Sequence, residues 1–204
     1  MENAAFAPVF RFIDPAPPRY GQTKLVEEMQ QEVAKHVHAM FGPEAFDCPK
    51  TSAAWHEAGH CILYVAEGFE VRSTSIFPIV HKGTQQWIGK TDGGVPYTGP
   101  DTTAQDDLRH ARRIIAGFAS EALFDRRNCK PGSSLNERIL VTCIAHSAAA
   151  KLGVSFESIE RDLKARVTSA LERSHRARRI AMELIGNGSI NARRLEKLLG
   201  GVTR

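Results

Sequence analysis

The chain has 204 residues, 42% of them hydrophobic, and a formal net charge of +4 at pH 7. That is one domain of ordinary size with a real core, or one domain plus an appendage. A membrane span is not expected, because no stretch approaches the roughly 18 to 20 apolar residues that cross a bilayer.

The chain opens on an arm. Pro8, Pro15, Pro17 and Pro18 fall within residues 1 to 22, which read as extended chain. The start lacks the basic residues and apolar block of a signal peptide. A helix is expected over 23 to 41, with Leu25, Met29, Val33, Val37 and Met40 on one face and Gly42-Pro43 as its stop. Residues 1 to 48 therefore read as arm plus short helix, and 49 to 204 as the main domain. The four cysteines (Cys48, Cys61, Cys129, Cys143) form no CxxC, so neither a zinc knuckle nor a disulfide scaffold is indicated. A reducing cytoplasm is the expected compartment.

The next helix is predicted from Thr51 or Ser52 to Glu67, between Pro49 and Gly68, and it carries His56-Glu57-Ala58-Gly59-His60. Residues i and i+4 of a helix share a face, so His56 and His60 can grip one metal ion. Glu57 lies beside the first of them, where it can deprotonate a water held by the metal. Zinc lowers the pKa of such a water from about 15.7 to about 7. The apolar run Cys61 to Val65 places the motif on a buried helix, where two His and a Glu need partners that a metal would supply.

Residues 70 to 80 read as a strand, with Pro78 marking an edge or bulge, and Gln85 to Lys90 as a second. The run Thr74 to Val80 is a candidate for pairing with an extended peptide. A loop is expected from Asp92 to Pro100, then a long helix from Asp101 or Thr102 to Asp125. Further helices are expected from Ser134 to Leu152, from Ser155 to Ile185, and over 190 to 199, with Gly186-Asn187-Gly188 as a turn. His110 and His146 read as packed or surface residues, Trp87 as core or groove wall, and His81, just after the first strand, as an ordinary loop residue or one that reaches a substrate groove. The late basic residues, such as Arg166, Arg178, Arg179 and Arg194, alternate with Asp162, Glu172, Glu183 and Glu196. They read as solvated helix faces, so nucleic acid is not an expected partner.

Three segments together resemble a known family. They are Ala54-Trp55-His56-Glu57-Ala58-Gly59-His60, Ser75-Ile76-Phe77-Pro78 and Ala116-Gly117-Phe118-Ala119-Ser120-Glu121-Ala122-Leu123. They are similar to the peptidase domain of the FtsH-type zinc metalloproteases, over about residues 50 to 200. The resemblance implies a mainly α (α+β) fold: a helical zincin-like domain with a small two- or three-stranded sheet beside the HExxH helix. It also implies an acidic zinc ligand 16 residues after Glu121, at Glu137, where the family carries Asp. Glu is a competent oxygen ligand with a longer reach. Asn136 is the fallback. Ser134-x-x-Glu137 also matches a capping box that would use the same carboxylate. Glu121, with Asp125 four residues on, is the rival ligand, after the Glu-x-x-x-Asp pattern of thermolysin-like enzymes. Under the FtsH-like reading Glu121 instead holds a ligating His from behind or packs a helix, and Asp125 caps or faces solvent.

The expected function is a zinc (Zn2+) metalloendopeptidase acting on flexible segments or a regulatory protein. His56, His60 and Glu137 would be the ligands and Glu57 the general base. Family members join this domain to an ATPase module and a membrane anchor. The chain carries neither a Gly-x-x-x-x-Gly-Lys-[Ser/Thr] phosphate loop nor a spanning segment, so ATP-independent action is expected. The family's rings make a homo-oligomer an open expectation. The alternative is a zinc-binding regulatory module with little turnover. The presence of Glu57 speaks against it, since a structural site needs no base.

Overall fold

The computed structural model describes residues 23–81, 83–94 and 102–200. The Pro-rich arm, residues 95 to 100 of the expected loop and the candidate cap Asp101 lie outside these. The described chain is mainly helical, 68%, with a small three-stranded antiparallel sheet. In order come α1 (Thr23–Phe41), a 3-10 turn (Pro43–Phe46), α2 (Lys50–Ala66), β1 (Val71–His81) and β2 (Thr84–Gly93). They are followed by α3 (Ala104–Phe124), α4 (Leu135–Leu152), α5 (Phe156–Glu172), α6 (His175–Asn187), β3 (Ser189–Asn191) and α7 (Ala192–Leu199). Among the described residues no single helix is long and apolar enough to cross a membrane.

The chain forms two compact units. The first comprises Met1–Phe46, Pro96–Ile115 and Lys130–Arg166, and the second Asp47–Val95, Ala116–Cys129 and Val167–Arg204. In the first, Val33 and Val37 of α1 close on Leu135 and Ile139 of α4, with Ala45 and Phe46 beside them. Asp107, buried near the start of α3, accepts from Lys151 Nζ at 2.7 Å and Thr102 Oγ1 at 2.7 Å. The start of α3 is capped one residue later than expected: Thr103 Oγ1 accepts from the Asp106 amide at 3.2 Å, and Asp106 reaches back to the Thr103 amide.

In the second unit α2 packs against β1, β2 and α6. Ser52 to Ala54 and Glu57 to Leu63 are all buried, and Trp55 and His56 between them are partly exposed. Burying Ile62 and Leu63 contributes roughly 1.5–3 kcal/mol each. Pro49 starts the helix with φ −71° and ψ 162°, and its carbonyl accepts from the Ala53 amide at 3.1 Å. Gly68, in left-handed backbone at φ 79°, ends the turn that follows. Where α2 meets α3, Gly59 supplies the clearance: a Cβ there would stand 2.3 Å from the Ala116 carbonyl oxygen.

The sheet order is β2-β1-β3, so β1 is the middle strand. β3 covers only Ser73 to Ser75 of it, while β2 pairs along nearly its whole length. The Ile76 amide donates to the Gly188 carbonyl, away from β2. By the two-residue alternation of a strand, Pro78 also faces away from β2. Its missing N–H therefore costs the β1–β2 ladder nothing. Of the two readings of Pro78, edge or bulge, the edge holds, and the bulge lies instead between Val71 and Ser73. Of the run Thr74 to Val80, β3 therefore pairs only with Thr74 and Ser75, and the Ile76 amide adds one bond to Gly188. Among the described residues the run is thus central at its start and edge-like from Phe77 on, while β2 is the sheet's other edge.

Two expectations about the late elements are corrected. The helix predicted from Ser155 to Ile185 is two helices, broken between Glu172 and His175. Leu163, Val167 and Leu171 are buried at four-residue spacing, but the next buried residues are Ala177, Ile180, Ala181 and Leu184. An unbroken helix would turn His175 and Arg178 inward, and both are exposed. A break restores the phase. The turn at Gly186-Asn187-Gly188 is shorter than expected, because α6 runs to Asn187 and Gly188 closes it at φ 75°. Ser189–Asn191 then forms β3, and the Asn191 side chain caps α7 by accepting from the Arg194 amide at 3.0 Å. Late basic residues are partly paired as expected, Arg166 with Asp162 and Arg194 with Glu183.

Candidate metal centre

The middle of α2 brings His56, Glu57 and His60 together. Among the described residues this is the one group of three or more metal-capable side chains, with ligand atoms all within 4.8 Å of one another. The Nε2 atoms of the two His lie 2.9 Å apart, and the rings meet edge to face at 76°. Two nitrogens bound to one tetrahedral zinc at 2.0–2.1 Å stand about 3.3 Å apart. The pair needs to open by only a few tenths of an ångström to take the ion, so the residues fit a zinc-class metal.

Glu121, on the second half of α3, settles what His56 offers. Its Oε1 lies 2.7 Å from His56 Nδ1, and the residue is 2% exposed. A buried carboxylate needs a donor. An Nδ1–H supplies it, which leaves the Nε2 lone pair facing His60. Glu121 thus serves the far nitrogen of His56 and not the face where the Nε2 atoms converge. Gly117, one turn earlier on α3, leaves room for the ring: a Cβ there would lie 2.4 Å from His56 Nε2. Asp125 neither points to the His pair nor hangs in solvent. It accepts from Ser52 Oγ at 3.0 Å and Asn128 Nδ2 at 2.8 Å, tying the end of α3 to the start of α2.

Glu57 is 3% exposed and faces β2. Thr91 Oγ1 donates to its Oε2 at 2.6 Å, and Thr74 Oγ1 stands 3.0 Å behind Thr91. At Gly89 a Cβ would lie 2.4 Å from Oε1, so a side chain there would push Glu57 from this position. Sequence reading missed Thr74, Gly89 and Thr91. Gly89 carried a signal, since a glycine inside a strand pattern marks a close approach. The threonines carried none, because their meeting depends on a register that pairs residue 74 with residue 91.

Two cysteines lie near this site. Burial, and then the Glu57 carboxylate, pushes the Cys61 thiol up to about 12. Burial, and then Glu121, raises Cys48 to about 11. Both are therefore neutral thiols at pH 7.

Glu137 belongs to the first unit, in the opening turn of α4. Ser134 before it has left-handed backbone at φ 52° and its side chain makes no cap bond. The Ser134 half of the expected capping box is therefore not formed. The Asn136 carbonyl accepts from Gln30 Nε2 at 3.2 Å. His110 and His146 are packed in the same unit, His110 against Arg113 and His146 stacked on Phe156 at 4.0 Å. Trp87 is half-buried under the Lys50 ammonium, 4.9 Å from the ring centre.

No family model matches the chain, and a search of curated proteins returned no match.

Proposed function

We propose that the protein is a zinc-dependent metallopeptidase that hydrolyses peptide bonds in flexible protein segments. The observation that carries this is the convergence of both imidazole Nε2 atoms beside a buried carboxylate, with a second carboxylate on the far nitrogen of His56. A structural site has use for the ligands but not for Glu57. The metal would be held by His56, His60 and Glu137, the last on its resemblance to the FtsH-type ligand position. When bound, zinc would acidify water and polarise a carbonyl.

The chain's own residues do the proton work. Glu57 takes a proton from the attacking water as the new C–O bond forms, and returns it to the amine nitrogen as the C–N bond breaks. Glu121 keeps the His56 proton on Nδ1 throughout. The outer side of β2 supports an extended peptide as substrate. The Trp87 amide points outward to the Cys48 carbonyl, so Gly89 and Thr91 also face out by alternation. A peptide added at Gly89 would pass beside Glu57. The exposed Phe77 and Ile88 leave apolar surface on the same hairpin.

The test is Glu57→Gln. It should retain zinc and lose peptide cleavage by at least about 100-fold, the lower range for removing a general base. Loss of zinc together with activity would contradict the division of roles. Zinc bound in wild type with no turnover on any peptide would favour a zinc-binding regulatory module.

A further inference from the structure

We infer that Thr91, backed by Thr74, is a positioning residue that divides the work of the two Glu57 oxygens. The catalytic meaning of this rests on the peptidase reading above, while the hydrogen-bond chain itself needs no metal. A threonine hydroxyl has one proton to give, and an ionised carboxylate only accepts. Thr91 therefore spends its proton on Glu57 Oε2, at 2.6 Å. The Thr91 oxygen then accepts from Thr74 Oγ1 at 3.0 Å, and Thr74 is 1% exposed. The carboxylate thus fixes the direction of the whole chain. The Cys61 thiol, 3.9 Å from Thr91 Oγ1, adds a weak contact.

The same strand treats the other oxygen in the opposite way. Gly89 and Thr91 are two residues apart, so both face α2. Thr91 offers a hydroxyl to Oε2, and Gly89 offers space to Oε1, where a Cβ would intrude to 2.4 Å. Oε2 is consequently committed to Thr91. In the transfer step one O–H bond of the attacking water breaks and its proton bonds to Oε1, while Oε2 goes on accepting from Thr91. The proton later leaves Oε1 for the amine nitrogen as the C–N bond breaks. Fixing Oε2 also fixes the plane of the carboxylate, and so the direction in which Oε1 presents its lone pair.

The experiment compares Thr91→Val, Thr91→Ser and Thr74→Val with wild type. On zinc-loaded protein, Thr91→Val should lower kcat by about 10- to 100-fold, the range for losing a group that orients an active-site residue. KM and zinc content should stay as in wild type. Thr91→Ser should restore most of kcat, and Thr74→Val should lie between. On metal-free protein, thermal unfolding of Thr91→Val, Glu57→Ala and the double variant gives a readout independent of turnover. The Tm loss from Thr91→Val should shrink when Glu57 is already Ala. An unchanged kcat in Thr91→Val, failure of Ser to rescue, or additive Tm losses would overturn the assignment. An inactive zinc-bound wild type would overturn the peptidase reading and Thr91's catalytic role with it. The metal-free cycle would then still show whether the hydrogen bond exists.

Discussion

The proton of His56 is placed by Glu121, and the two residues stand on different helices. Nδ1 and Oε1 at 2.7 Å make a charge-assisted bond inside a site where the carboxylate is almost fully buried. Removing the carboxylate frees the tautomer and the ring. Glu121→Ala should therefore weaken zinc binding by about 10- to 100-fold, measured by competition with a chromogenic chelator. Glu121→Gln keeps an acceptor oxygen and should lose less. An unchanged affinity in Glu121→Ala would contradict this role. Gly117→Ala tests the same ring from its other side, because the added methyl would meet the imidazole at 2.4 Å. It should cost zinc affinity without removing any polar group. The HExxH triplet itself was plain in the sequence, since its spacing is local. Of the residues that hold it in place, Glu121 was among the candidates only through likeness to known families, and Gly89 and Thr91 were not, because they reach it through a strand register.

Among the elements, α6 is the support of α2. Ile180 and Leu184 are fully buried, and α6 packs along the helix that carries the site. Truncating either to Ala should cost about 2–5 kcal/mol in urea unfolding at unchanged m-value. A loss under 1 kcal/mol, well below what cavity formation costs, would mean that α6 does not brace α2. The apolar stripe of α1 with its Gly42-Pro43 stop, the Pro49 and Gly68 that bracket α2, and the Ser134 start of α4 made these helices legible within a residue or two. The break between α5 and α6 was hidden by helix-favouring composition, although the change from Leu171 to Ala177 and Ile180 in the apolar phase was there to read. β3 is three residues with one buried side chain, Ile190, too short to show any period.

For the molecule as a whole, acid should destabilise the fold through buried histidine. Burial first, and Arg113 second, lower His110 to about 4, against the raising effect of Asp107. The unfolded chain has His near 6.5. A His whose folded value is depressed takes its proton more readily when unfolded. Its contribution to stability is therefore complete above about 6.5 and is lost progressively as pH falls toward 4. His146 is lowered by burial too, opposed by Glu157, and acts in the same direction. His110→Phe should flatten the decline in Tm between pH 6.5 and pH 4. An equally steep decline in the variant would show that other groups carry it.

The mainly helical fold with a small sheet was legible in the sequence because long amphipathic patterns dominate it. The third ligand was not legible from the residues themselves, since the proposal of Glu137 rests on a resemblance and not on a spacing local to the His pair. The most direct test of the central claim is elemental analysis of wild type, Glu137→Ala and Glu121→Ala after reconstitution with zinc, read beside peptide cleavage. One zinc per chain in wild type is predicted. Glu137→Ala should lose it, and Glu121→Ala should regain it at saturating zinc. A wild type that holds no zinc after reconstitution would contradict the account.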